Sequence, residues 1–226
     1  RAMEKRALEP FRECDISSFW DFISTPSLYS FREAWSSLLS PPMNLTSMKA
    51  VKQILAEYQV KPSRGLGQNF LVDSHAIHRL ISAAQVGKED TVLEIGPGIG
   101  NLTQELAKRA KHVIAIEKDQ KMVEILKETL SGYPNVEVIH EDALKADYTK
   151  YLALRDLAKR DKVVANLPYY ITAPLIRKFL ELSKVKPYSM TLIVQKEVAQ
   201  RICAKPPEMS ILAVSMQVYA APKIVS

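Results

Sequence analysis

Thr91-Val92-Leu93-Glu94-Ile95-Gly96-Pro97-Gly98-Ile99-Gly100-Asn101 reads as a short apolar strand that runs into a glycine-rich turn and then a helix. Working outward, apolar runs rich in Val and Ile recur at 91–95, 112–116, 136–140, 162–165 and 190–194, and are expected as buried strands. Helical spacing fills the intervals 101–110, 119–131, 148–159 and 172–182. Strand and helix in turn predict an α/β chain, a mostly parallel sheet with helices on both faces. Two helices are expected before the sheet, at 49–58 and 74–84, the second capped by Asp73 or Ser74. Two more are expected after it, at 196–203 and 210–219.

Only seven glycines occur in 226 residues, and three of them stand at 96, 98 and 100. Glycine admits positive φ and lets a ligand approach the backbone, and the carboxyl end of a first strand is where open α/β sheets bind nucleotides. Glu117 follows Gly96 by 21 residues and ends the second strand, where an acid can accept both ribose hydroxyls of an adenosine. A dinucleotide fingerprint puts a third glycine where this chain has Asn101; the spacing here is GxGxG. That weakens a nicotinamide dinucleotide reading and suits a ligand without a pyrophosphate, such as S-adenosylmethionine. The same glycines would also serve a plain strand–helix turn. Asp142, after the third strand, is placed to accept an adenine amino group; on its own it reads first as a helix cap.

The fourth strand ends in Asn166-Leu167-Pro168-Tyr169, the most informative tetrad in the chain. An exocyclic adenine nitrogen is a poor nucleophile because its lone pair is delocalised into the ring. A side-chain amide oxygen (Asn166) and a backbone carbonyl (Leu167) can accept its two N–H bonds, pull it toward tetrahedral geometry and localise the lone pair. Pro168 fixes φ and removes a competing donor. Tyr169 can stack on the base, worth about 1–3 kcal/mol by analogy with other stacking sites. Methylation of such a nitrogen by a sulfonium needs positioning and electrostatics rather than a metal or a strong base. Tyr170 is assigned to packing.

Hydrophobic residues at 47% and charged residues at 25% exclude a disordered or collagen-like chain. No apolar run reaches the roughly 20 residues of a membrane span. Cys14 and Cys203 lie in no metal or redox spacing and read as reduced thiols of a cytoplasmic protein. His75, His78, His112 and His140 form no convincing ligand set, so no metal is expected. The net charge of +6 divides into −1 over residues 1–42 and +7 over 43–226, which favours a polyanionic partner for the second part. The short basic clusters Lys108-Arg109 with Lys111, and Lys159-Arg160 with Lys162, can touch phosphate, but each taken singly reads as a solvated complement to a helix dipole. Residues 1–42 hold both tryptophans, Trp20 and Trp35, and have neither signal-peptide nor transit-peptide character; they are expected to be an appendage to a domain spanning 43–226. The apolar end at Lys223-Ile224-Val225-Ser226 reads like a cut.

Taken together, the chain resembles the ribosomal RNA adenine N6-dimethyltransferases over roughly residues 64–222. The resemblance rests on four ordered blocks: Gly67-Gln68-Asn69-Phe70-Leu71-Val72-Asp73; Glu94 to Asn101 with Thr103; Ile116-Glu117-Lys118-Asp119; and Asn166 to Tyr170. Leu167 and the run Gln195-Lys196-Glu197-Val198-Ala199-Gln200-Arg201 look like the small-subunit branch. The resemblance implies a Rossmann-like class I S-adenosylmethionine-dependent methyltransferase fold. It implies that Asn69 and Leu71 contact the cofactor, that Gly96 lines its methionine part, Glu117 its ribose and Asp142 its adenine, and that Asn166 bridges cofactor and target base. It implies dimethylation of two adjacent adenines in small-subunit RNA, on a pre-ribosomal particle. Separately, a monomer without membrane attachment is expected. The family's helical domain after the sheet is not matched, nor is a final antiparallel strand beside the one expected to begin near Ala221, so an open sheet edge is expected. Two other functions stay open: a DNA adenine N6-methyltransferase, which Leu167 disfavours, and a non-catalytic RNA-binding assembly or transcription factor on the same fold.

Overall fold

Each strand of the sheet sends alternate residues into two different apolar layers. Val92, Val113 and Val164 pack on one side, while Leu93, Ile95, Ile114, Ile116, Val163 and Ala165 pack on the other. A computed structural model describes residue 45 and residues 47–60, 71, 73–152, 161–184 and 186–225. The expected appendage 1–42, Asn69 with most of the block around it, and the second half of the helix at 148–159 lie outside the described residues.

Two helices precede the sheet: α1 (Met48–Glu57), capped by Ser47, and α2 (Ser74–Ala84), capped by Asp73. The alternating unit follows as β1 (Thr91–Ile95), α3 (Asn101–Ala107), β2 (His112–Glu117), α4 (Gln120–Thr129), β3 (Val136–His140), α5 (Thr149–Leu152), β4 (Lys162–Asn166), α6 (Thr172–Arg177) and β5 (Ser189–Ile193). Helices α7 (Lys196–Ile202) and α8 (Ile211–Gln217) close the described chain. The five strands are all parallel, in the order β3-β2-β1-β4-β5. This is the Rossmann-like class I methyltransferase fold that the sequence led us to expect.

Helices α2 and α3 cover the first face through Ile77, Leu80, Ile81, Leu102 and Leu106. The second face is covered by Leu175 and Phe179, with Tyr148 stacked on Phe179 at 4.3 Å. Burial of these side chains supplies the main driving force, at about 25 cal/mol per Å² of apolar surface. The chain leaves β1 toward β2 and β3 and then crosses back to β4 on the other side of β1. Connections from β1 and β4 therefore diverge, and this switch point opens a crevice at the carboxyl ends of these strands.

Two expectations are corrected. Strands β3 and β5 are not buried like the central three; they lie at the edges of the described sheet and stay half-exposed. The helical stretch expected at 172–182 is present; past Arg177 it widens over Lys178–Leu182, where the Ser183 N–H donates to the Lys178 carbonyl five residues back, at 2.8 Å. No strand begins near Ala221: residues 220–225 make no ladder with β5 among the described residues, and a lone segment without a paired neighbour has no sheet hydrogen bonds to hold it as a strand.

Candidate functional site

The glycine turn extends the ladder before it bends. Gly96 N–H donates to the Ile116 carbonyl at 3.0 Å, one residue past β1, and the chain then turns through three glycines with φ of 68°, 61° and 95°. Two of them show why glycine is needed. At Gly96 a Cβ would meet nothing within 4 Å, so what bars other residues there is the positive φ, and the space beside the backbone is left for a ligand. At Gly100 a Cβ would also crowd Leu126, Thr129 and Leu130 at 3.2–3.3 Å. The turn is fastened to α4 by the Thr129 hydroxyl, which donates to the Ile99 carbonyl at 3.0 Å, and by Gln104 Nε2, which donates to the Thr129 carbonyl at 2.8 Å. Asn101 Nδ2 reaches the Leu45 carbonyl at 2.7 Å and ties the segment before α1 to the same turn.

Glu117 faces this turn from the end of β2. Its Oε1 accepts the N–H groups of Lys118 and Asp119 at 2.8 and 2.9 Å, and its Oε2 takes only a long contact, 3.4 Å, from Gly98 N–H. Burial pushes the carboxyl's pKa up, the N–H groups of Asp119, Lys118 and Gly98 oppose the shift, and the Asp119 charge adds to it. One oxygen is thus anchored and the other is available to hydroxyl donors.

A cleft of about 580 Å³ joins these groups to the end of β4. It is lined by Leu71, Gly96, Glu117 and all four residues of the tetrad, Asn166, Leu167, Pro168 and Tyr169. Inside the tetrad, the buried Leu167 side chain anchors the peptide in the core. The Pro168 carbonyl is taken by Ile171 N–H at 3.2 Å and the Thr172 hydroxyl at 3.1 Å, while no backbone N–H among the described residues donates to the Leu167 carbonyl. Tyr169 is 52% exposed at the rim. Tyr170, assigned to packing from the sequence, is instead 58% exposed and lines the same cleft. The short turn Tyr169–Ile171 lifts both rings away from the core.

Asp142 is not among the cleft-lining residues. It accepts Leu144 N–H on Oδ1 at 3.0 Å and pairs through Oδ2 with Lys118 Nζ at 2.9 Å; Lys118 itself lines the cleft. Among the described residues no His, Cys, Asp and Glu group could hold a metal.

Sequence reasoning missed Glu94 as a site residue. It lines the cleft at 1% exposure, and its Oε2 has no hydrogen-bond partner among the described residues. Burial pushes its pKa up to about 8; the Thr103 hydroxyl opposes the rise and Glu117 adds to it. The signal was present, as the one acid inside an otherwise apolar first strand. A raised pKa means that the fold holds a proton which the unfolded chain releases. Stability from this group is therefore complete below about pH 4.5 and declines as pH rises through about 8. Glu94→Gln removes that slope. Its melting temperature relative to the parent should rise by about 5 °C between pH 5 and pH 8.5, equivalent to about 2 kcal/mol, followed by scanning calorimetry. Equal pH profiles for the two proteins would show that Glu94 ionises normally.

Comparison with known proteins bears on the same residues. The family profile described as ribosomal RNA adenine dimethylase matches residues 45–226. The chain is 47% identical over 182 residues to the ribosomal RNA small subunit methyltransferase A of Alkaliphilus oremlandii, covering 80% of this chain and 63% of that protein. The protein of the same name from Dehalococcoides mccartyi is 45% identical over 79% of this chain and 60% of its own length. The chain thus spans under two thirds of these curated relatives. In structure it is similar to a dimethyladenosine transferase from Plasmodium falciparum, with a TM-score of 0.53 and 34% identity over 65% of this chain and 51% of that one. Half of the chain and more carries the family's pattern, and the residues that carry it, from the glycine turn to the tetrad, converge on one cleft: the chain belongs to the ribosomal RNA adenine dimethylase family.

Proposed function

We propose that this chain transfers methyl groups from S-adenosylmethionine to the N6 amino group of adenines in small-subunit ribosomal RNA, dimethylating two adjacent adenines. One observation carries the reading: the tetrad Asn166-Leu167-Pro168-Tyr169 forms one wall of the cleft whose other wall is the glycine turn and Glu117. The cleft suits the cofactor, since Gly96 leaves open space, Glu117 has an oxygen to offer, and Glu94 presents a carboxyl oxygen without a partner among the described residues in the same lining. When bound, S-adenosylmethionine supplies an electrophilic methyl group on a sulfonium.

The protein's own part is binding and alignment. Asn69 and Leu71 contact the cofactor and Gly96 borders its methionine part; Glu117 accepts the ribose hydroxyls and Asp142 the adenine amine. Asn166 Oδ1 and the Leu167 carbonyl accept the two N–H bonds of the target nitrogen and localise its lone pair. Tyr169 stacks on the base, and the amine proton leaves after transfer, so the reaction needs no strong base. The relatives' names support a small-subunit RNA target; we take the substrate to be that RNA or a pre-ribosomal particle containing it. The net charge of +6 fits a polyanionic partner. No helix among the described residues is long and apolar enough to cross a membrane. We further take the protein to act as a monomer in the cytoplasm.

Calorimetric binding of S-adenosylmethionine tests this reading. Glu117→Ala removes a carboxylate acceptor for two hydroxyls and should weaken binding by at least tenfold, since hydrogen bonds to charged groups are worth about 1.5–3 kcal/mol. A folded parent chain that binds no S-adenosylmethionine, or a variant that binds it equally well, would count against the reading.

A further inference from the structure

Lys118 has a fixed backbone and a displaceable side chain. Its N–H donates to Glu117 Oε1 at 2.8 Å, and His140 Nε2 lies 3.0 Å from its carbonyl. The residue after it, Asp119, caps α4 through the N–H groups of Lys121 and Met122. The Lys118 side chain is nevertheless 69% exposed, and its ammonium rests on Asp142 Oδ2 at 2.9 Å. The other Asp142 oxygen is engaged by Leu144 N–H, so Lys118 sits on the oxygen best able to take an adenine amine. With its lysine this exposed, the pair adds little stability and yields to a competing donor, although the Asp142 side chain is only 23% exposed.

Lys118 also shares the cleft with Tyr169 and Tyr170, whose rings are 52% and 58% exposed. Two exposed aromatic rings offer a stacking surface to an unpaired base. A nucleotide drawn into the cleft brings phosphates with it, and among the described residues that line the cleft Lys118 is the one Lys or Arg. We propose that Lys118 is a phosphate-binding residue for the RNA strand, restrained by Asp142 until a purine amine takes that carboxylate. The proposal rests on the cofactor reading above. Loading the cofactor frees one positive charge beside the stacking rings, so cofactor and RNA each favour the other's binding, and by linkage the two effects are equal.

Binding of an RNA hairpin with two adjacent adenines in its loop is measured against salt concentration, with and without saturating S-adenosylhomocysteine. The loaded protein should bind the hairpin about 3–10-fold more tightly at low salt. Its salt dependence should steepen by about 0.7 in log–log slope, the signature of one added phosphate contact on a single strand. Lys118→Met should erase both differences, Lys118→Arg should keep them, and Asp142→Asn should show the steeper slope without S-adenosylhomocysteine. A parent slope that ignores S-adenosylhomocysteine, or a Lys118→Met protein that keeps the coupling, overturns the proposal. Calorimetry separates the two levels: bound S-adenosylhomocysteine with an unchanged RNA slope removes the role of Lys118 alone. Failure of the parent to bind S-adenosylhomocysteine removes the cofactor reading and this proposal together.

Discussion

Asn166→Ala should lower methyl transfer by about a hundredfold or more while changing S-adenosylmethionine affinity by only a fewfold. The asymmetry follows from what the amide oxygen does. In the ground state the adenine nitrogen is planar and its N–H groups are content with water. As the methyl group transfers, the nitrogen becomes tetrahedral and positively charged, and its two N–H bonds strengthen as donors. Acceptors held where those bonds will point therefore act mainly in the transition state, and loss of one preorganised hydrogen bond of this kind costs about 2.7–4 kcal/mol.

Asn166 is well held for that role. It pairs in register with Ile193 of β5 at the last position of β4, and the following Leu167 N–H donates to the Ile193 carbonyl at 3.3 Å. The peptide cannot drift, because Leu167 is buried behind it and Thr172 and Ile171 hold the Pro168 carbonyl. Single-turnover transfer of a labelled methyl group to small-subunit particles reads the rate, and calorimetry reads the affinity. Methylation at the parental rate in a folded Asn166→Ala protein would reject the mechanism. A rate lost only in proportion to cofactor affinity would make Asn166 a binding residue and no more.

How much of this was legible in the sequence depends on whether a residue's partner is near in the chain. Strand β1 starts and stops where the apolar run starts and stops, because Asp90 precedes it and Gly96 follows. Asp73, Ser47, Asp119 and Ser210 cap helices through N–H groups two or three residues on, so these starts are local events. The tetrad and glycine turn were legible as chemistry because the spacing alone implies strand ends. Edge and centre were not distinguishable: the β3 run Val136-Glu137-Val138-Ile139-His140 is as apolar in pattern as an inner strand, yet only its place in the sheet order leaves it half-exposed. Long-range pairs were invisible for the same reason. Lys118 and Asp142 lie 24 residues apart, and nothing in either neighbourhood announces their meeting. Nothing in the sequence singles out Lys178. In the fold, the wide turn aims its ammonium at the carbonyls of Leu144 and Ala146, 2.8 and 2.5 Å away. Lys162, read as one of a solvated basic cluster, is buried at 7% exposure, and its true partner precedes it by 72 positions.

That partner is Asp90, and the pair carries the largest stability effect expected here: Lys162→Met should destabilise the fold by about 3–5 kcal/mol. Lys162 Nζ lies 2.8 Å from Asp90 Oδ2, with side-chain exposures of 9% and 3%. The same ammonium donates to the Gln85 carbonyl at 2.6 Å, at the left-handed end of α2. Asp90 Oδ2 also accepts Gly87 N–H at 2.7 Å, and the Asp90 carbonyl accepts Lys111 N–H at 3.0 Å. One buried pair thus ties the starts of β1, β2 and β4 together, at the end of the sheet opposite the crevice. Removing the lysine leaves a buried carboxylate without its counter-charge, which is the expensive way to break such a pair; replacing both partners with neutral groups of similar size is far milder. Asp90→Asn combined with Lys162→Met should therefore recover most of the loss. For a domain of this size the single variant's melting temperature should fall by about 10 °C, and the double variant should regain more than half of that. A single variant within about 1 kcal/mol of the parent would mean that solvent reaches the pair and screens it. Because the connections leaving β1 and β4 diverge to open the cleft at the far ends of these paired strands, loosening their near ends should also weaken S-adenosylmethionine binding below the melting transition. Asn166→Ala should change that binding by only a fewfold while its rate collapses, and the contrast separates a hinge defect in the sheet from a chemical defect at the tetrad.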